Sequence, residues 1–339
     1  MVTQETTPHI LGSVSTDRGG HHPPPLGRRI IRRLLAISPR ETSFATRGFR
    51  CDEERVRERL EGVARCFVRG YHAALEWDLS ELPRRLGAEE PAMRGFAHEG
   101  AALGLTLLDV LTGWRRDRLG AFLAGPGADH FYIIHVGAGW SLARLPLSVR
   151  GLLSRLDPVL GWLALDGYGF HEGFFHAPLR VARQAVPAKV AGYARRAFDQ
   201  GLGRSLWFVE GAHAGRIAAT IGAFPEARRP DLWSGVGLAC TYAGGRGADD
   251  LAALRRAATP WTRELAQGAA FAAKARFRAG IPTADAELAC RALCGCGAER
   301  AAALTDEAGR DLAPEGETPA FEVWRRRIQA GLFEGGLSR

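Results

Sequence analysis

The sequence predicts a mainly α-helical protein, a multi-helix single domain with few or no strands. Three observations carry this. Apolar residues recur at spacings of three and four, most clearly at Val56, Leu60, Val63, Phe67, Tyr71 and Ala74. Helix start signals recur at Ser38-Pro39-Arg40-Glu41, Thr259-Pro260-Trp261 and Thr318-Pro319. No regular alternation of strand and helix patterns runs through the chain, which weighs against a parallel α/β sheet.

Residues 1–27 are polar and proline-rich and read as a disordered tail, closing in His21-His22-Pro23-Pro24-Pro25, which would bind a metal weakly at most. Residues 28–339 read as one helical domain. The basic stretch Arg28–Leu35 reads as a first helix packed through its Ile and Leu side, with contact to a membrane surface as the alternative. Residues 52–77 form one amphipathic helix. A helix opened by Thr259-Pro260-Trp261 runs through Leu265, Ala269 and Ala272 to a stop at Gly280, with Pro282 beyond. A last helix carries Phe321, Trp324, Ile328 and Leu332 on one face. The best strand signals are Phe131–Val136 and, second, Leu206–Val209.

An internal echo runs along the chain. Glu99-Gly100, Glu172-Gly173, Glu210-Gly211 and Gln267-Gly268 each place a carboxylate or amide before glycine, and Gly137-Ala-Gly139-Trp140 resembles Gly235-Val-Gly237-Leu238. It suggests a duplicated helical architecture, although the intervals do not match between halves.

Composition excludes several classes. Apolar residues make up 46% and charged residues 24%, as in ordinary globular proteins. The net charge is +8, but arginine is spread along the whole chain and no nucleic-acid module is present, so no nucleic-acid partner is expected. No apolar run reaches the length of a membrane span, about 20 residues. The six cysteines follow no secretory signal, so reduced thiols and a cytoplasmic location are expected. Cys290-x3-Cys294-x-Cys296 lacks the paired spacing of zinc sites and sits in an amphipathic pattern, where cysteine packs as a small apolar residue.

The chemistry-bearing residues cluster beside glycines. Small residues let helices approach closely, so a carboxylate at the edge of such a segment becomes partly buried and needs a partner or a proton. That singles out Glu99, Glu172 and Glu210. The densest stretch runs from Asp166 to His176 and holds Tyr168, His171 and Glu172, the materials of acid–base work at neutral pH. His171 and His176 are five apart and would not share a face of a regular helix, so no metal site is assigned and no cofactor is specified. Glu210-x-x-His213 has the spacing of one half of a carboxylate-bridged di-iron site, but no second such motif is found. Arg228, Arg229 and Asp231 read as a capped helix start or an anion clamp. Phosphate-loop, dinucleotide and nucleophile-elbow motifs are absent, and Ser205 fits none of them.

Longer motifs carry a family resemblance. Tyr193–Ala212 and Arg229–Gly245 resemble the UnbL-type enediyne biosynthesis proteins, as do Gly167–Gly173, Ala266–Lys274 and Glu322–Gln329. The resemblance covers roughly residues 28–330 and carries over no catalytic residue. It implies an accessory role beside a polyketide synthase that makes a long linear polyene, with a hydrophobic small-molecule intermediate and other enediyne pathway proteins as partners. Under that reading Phe131, Trp140, Tyr168, Phe170, Phe174 and Trp207 line an elongated apolar pocket for the polyene or polyyne. His171, Glu172, Glu99, Glu210 and Asp166 are then the acid–base candidates. A non-catalytic carrier, chaperone or scaffold is the alternative. A cyclase-like enzyme is a weaker one, because no D-D-x-x-D or D-x-D-D run occurs.

Overall fold

A computed structural model describes residues 26–313 and 316–334. All the regular structure among them is helical. The tail reading for residues 1–25, with His21 and His22, lies outside the described residues, while Leu26 and Gly27 already belong to a helix, Leu26–Leu35. That helix packs through Ile31 and Leu35 but leaves Ile30 and Leu34 exposed, so only half of its expected apolar side is buried.

The frame is a row of seven helices: α1 (Glu54–Glu76), α2 (Arg94–Leu111), α3 (Phe131–Gly139), α4 (Leu163–Phe175), α5 (Tyr193–Val209), α6 (Arg229–Ala243) and α7 (Thr262–Arg278). Both segments with strand character are helical, Phe131–Val136 in α3 and Leu206–Val209 in α5. Their apolar runs reflect burial on all sides rather than a pleated edge. Neighbours run parallel: Phe67 faces Gly100 and Tyr71 faces Gly104, while Phe198 faces Gly169 and Leu202 faces Gly173. Parallel neighbours need return segments, and the short helices Ala214–Gly222, Ala248–Ala257 and Ala284–Cys294 supply them after α5, α6 and α7.

One contact repeats along the row. A Cβ placed on Gly100, Gly137, Gly167, Gly201, Gly235 or Gly268 would lie 1.7 to 2.1 Å from a carbonyl oxygen of the preceding helix. From α3 onward those oxygens belong to Glu99, Val136, Asp166, Gln200 and Ser234, each the residue just before the preceding helix's own glycine. A second glycine two positions later faces the following helix, Gly139 against Ala164, Gly169 against Phe198, Gly203 against Leu232 and Gly237 against Leu265. With no side chain, each glycine brings its Cα hydrogen onto a neighbour's carbonyl, a weak hydrogen bond worth about 0.5–1 kcal/mol. The glycines recur every 30 to 37 residues, so the internal echo is real but differently phased. Glu99-Gly100 and Gln267-Gly268 are equivalent, as are Gly137-x-Gly139 and Gly235-x-Gly237. Glu172-Gly173 lies further along α4, and Glu210-Gly211 forms the turn after α5, Gly211 having φ of 56°.

The row curls until its ends meet. Arg59 of α1 donates to the carbonyl of Ala243 at the end of α6 (3.1 Å), and Arg276 of α7 donates to the carbonyl of Ala92 before α2 (2.6 Å). The C-terminal helix α8 (Ala320–Glu334) packs on α7, with Phe271 stacked on Trp324 at 4.5 Å. Cys290 and Cys294 are buried against α7, where Cys294 Sγ donates to the Ala266 carbonyl, as packing residues do.

Candidate functional site

Curling the row leaves a narrow apolar cavity of about 40 Å3 between α1, α2, α4, α5 and α6. Its walls are aromatic. Phe67 stacks on Trp140 at 4.1 Å, and Phe170 meets Phe208 edge-on at 5.4 Å and Phe174 at 5.8 Å. Glu41 and Thr42 also line it, from the segment before α1. Arg47 pairs with Glu41 at 2.5 Å and lies over the Phe175 ring at 5.0 Å.

Besides the part-exposed Glu41, two charged side chains reach this apolar space, Glu99 from α2 and Arg204 from α5, both almost fully buried. Their closest approach is 3.6 Å, between Glu99 Oε1 and an Arg204 terminal nitrogen, too far for a hydrogen bond. The Trp140 indole is close, yet its N–H also falls outside hydrogen-bonding geometry, so Glu99 Oε1 and Trp140 Nε1 are both left without a partner. Burial pushes the Glu99 carboxyl up to about 7, against the pull of Arg204 and with a further push from Asp166. The Arg204 guanidinium lies over the Phe170 ring at 4.9 Å and is anchored by Asp166.

Behind Arg204 the residues at the glycine crossings join into a buried polar chain. Gln200 donates to Asp166 (2.8 Å), and Ser234 Oγ lies 3.1 Å from Gln200 Oε1 and 2.9 Å from Gln267 Oε1. Arg325 of α8 donates to Gln267 (3.2 Å) and pairs with Asp231 (2.7 Å). Arg196 then bridges Asp231 and Glu322 toward the surface. Polar groups this deep stand only when paired, and the repeat brings the partners together.

The sequence-derived candidates therefore separate. Glu99, Trp140, Phe170 and Phe174 line the cavity. Asp166 lies behind it, fully buried and bonded to Arg204 and Gln200. Glu210 accepts from Thr220 (2.8 Å) at the far end of α5. Trp207 donates to the Gly244 carbonyl (3.2 Å), Tyr168 packs edge-on against Phe198 at 5.4 Å, and Phe131 sits under Arg278 at 5.2 Å; none of the three lines the cavity. His171 stands behind Trp140, ring to ring at 5.3 Å. Burial holds the His171 imidazole below its usual range, although Glu172 beside it favours the cation. Burial works against ionised Glu172 too, but His171 and Arg180 outweigh it and hold its carboxyl low. Of the other pattern, Asp231 makes no cap and is clamped by Arg196 and Arg325, while Arg228 grips buried Asp199 (2.8 Å). Both basic residues are thus committed within the protein, since Arg229 donates to the carbonyls of Phe224 and Gly222.

Sequence reasoning missed Arg204, Phe67, Phe208 and Tyr242 as cavity residues. The usable signal for Arg204 was its place four residues after Gln200, which puts both on one face of a helix otherwise built of small and apolar residues.

Fold and site together define an all-helical protein whose glycine-packed row closes around an aromatic cavity holding one weakly paired carboxyl group. The chain belongs to the family described as Protein of unknown function (DUF1702), whose model matches residues 27–332. No curated protein and no solved structure matches it.

Proposed function

We propose that the cavity binds an elongated, apolar, unsaturated molecule and that Glu99 moves a proton on it. Following the enediyne resemblance, the molecule is the linear polyene or polyyne of the polyketide synthase, and the protein is an accessory of that pathway. The observation that carries this reading is a buried carboxyl group, left without a hydrogen-bond partner at Oε1 and pushed up to about 7 by burial, in the wall of an aromatic cavity. Flat aromatic walls suit a planar conjugated chain. A carboxyl group poised near pH 7 serves equally as acid and as base. Arg204, fixed by Asp166, lies close enough to steady the anion once the proton has left.

The test uses purified protein and a linear conjugated polyene, with binding read from the polyene's absorbance and conversion read by mass spectrometry. The expected result is that wild type binds and converts it, that Glu99→Gln binds with conversion reduced at least 100-fold, and that Leu238→Trp, which fills the cavity, does not bind. Binding by both wild type and Glu99→Gln without conversion by either selects the carrier reading, which the scarcity of free polar groups in the walls favours. Undiminished binding by Leu238→Trp overturns the cavity as the site.

A further inference from the structure

We propose that His171, Glu172 and His176 form a binding site for a divalent transition-metal ion of the zinc type, apart from the cavity and behind its Trp140 wall. On a continuous helix, residues five apart point about 140° away from each other. That spacing argued against a shared site, but α4 ends at Phe175. His176 leaves the helix with φ −128° and ψ 35°, and its ring turns back over the last turn. His176 Nε2 then lies 3.9 Å from Glu172 Oε1, and His171 Nδ1 lies 3.6 Å from the same oxygen. One donor atom from each of the three residues falls within a sphere of contact in which every pair is within 4.8 Å.

An independent observation points to a ligand. His171 Nδ1 is fully buried, faces this cluster and has no hydrogen-bond partner. A buried polar atom left unpaired costs roughly 1–3 kcal/mol, which coordination would recover. Two imidazoles and one carboxylate leaving a position for solvent match the open three-ligand zinc pattern. Bonds of about 2.0–2.2 Å set tetrahedral donors roughly 3.4 Å apart, so the two Glu172 contacts, at 3.6 and 3.9 Å, close by a few tenths of an ångström, and the two imidazole nitrogens, within 4.8 Å of each other, close by up to about 1.4 Å. The other oxygen, Glu172 Oε2, is held by Arg180, the kind of outer contact that orients a ligating carboxylate. Arg180 also neutralises part of the carboxylate's charge, so the ion binds less tightly than at a site of free carboxylates. His176 is 53% exposed and provides the route in.

The full chain, stripped with a chelator, is titrated with Zn2+ by calorimetry and with Co2+ by visible absorbance. The expected result is one ion per chain and cobalt bands without thiolate charge transfer, which separates this site from the six cysteines. Affinity should fall about 10–100-fold in His176→Ala, whose exposed side chain is removable without unfolding, and in Glu172→Gln. The double variant His21→Ala/His22→Ala should bind as wild type does. Absence of binding to the folded wild type, binding unchanged in His176→Ala, or binding lost in the His21/His22 variant each overturns the proposal. None of these readouts depends on the polyene reading.

Discussion

Ionising Glu99 places a negative charge beside Arg204 but among aromatic rings, and burial prevails, so the folded protein keeps this proton up to about pH 7. The unfolded chain releases it near 4.5, the ordinary value for a glutamate. Between those values the folded state holds more protons, so this group's contribution is complete below pH 4.5 and is lost as pH rises through 7. Glu99→Gln should flatten that part of the pH–stability curve and gain on the order of 3 kcal/mol relative to wild type at pH 8. Urea midpoints from pH 5 to 8 check it, and parallel curves for the two proteins would refute the assignment. At this scale the sequence was half legible. A carboxylate before a helix glycine marks burial, and Glu99, Glu172 and Glu210 are all buried. What distinguishes them is the partner, Arg204 for the first, Arg180 for the second and Thr220 for the third, and only the first two partners stand close in sequence to any flagged motif.

At the scale of the helix, glycine ordinarily weakens the element that carries it, by about 1 kcal/mol relative to alanine. The row reverses that sign. A Cβ at Gly201 would sit 1.7 Å from the Asp166 carbonyl oxygen, and two backbones would have to separate to admit it. Gly201→Ala should therefore cost at least about 3 kcal/mol or prevent folding. Gly222→Ala, at a helix end with no atom within 4 Å of the added methyl group, should be neutral or stabilising by up to about 1 kcal/mol. Denaturation midpoints of the pair decide the matter. Helix starts and the long amphipathic helix were readable because capping residues and the three-and-four spacing are local signals: the expected 52–77 segment is Glu54–Glu76, and Thr318-Pro319 is followed by Ala320–Glu334. Phe131–Val136 misled because β-branched and aromatic residues suit a strand, until burial on every side overrides propensity.

For the whole molecule, closure of the row creates buried groups that answer to acid. His98 of α2 and His130 just before α3 stack at 3.7 Å, and burial lowers them to about 4 and about 3. The unfolded chain protonates both near 6.5, so stability from these groups is present above that value and is lost as pH falls toward 4 and 3. It opposes the Glu99 effect in the overlapping range. His130→Leu should shift acid unfolding to lower pH, measured as thermal midpoints from pH 3 to 7, and an unchanged acid limb would sink the assignment. None of this was visible in the sequence, because the stacking joins residues on two successive elements, 32 positions apart (130 minus 98). The same holds for Arg59 on Ala243 and Arg276 on Ala92, contacts that span most of the chain and have no local signature.

The cysteines give the closed row a built-in clock. Cys66 and Cys240 are buried in α1 and α6 with thiols pushed up to about 12, and Cys294 is raised as well. Alkylating reagents attack thiolates that they can reach, and these sulfurs offer neither accessibility nor charge while the helices stay packed. Each therefore reacts at the pace at which its own helix opens. The half-buried Cys51 and Cys296 provide references for faster reaction. Mass-resolved labelling of the unmodified protein would thus time the opening of the first, sixth and return segments separately, showing whether the ring parts at its seam or comes apart as one.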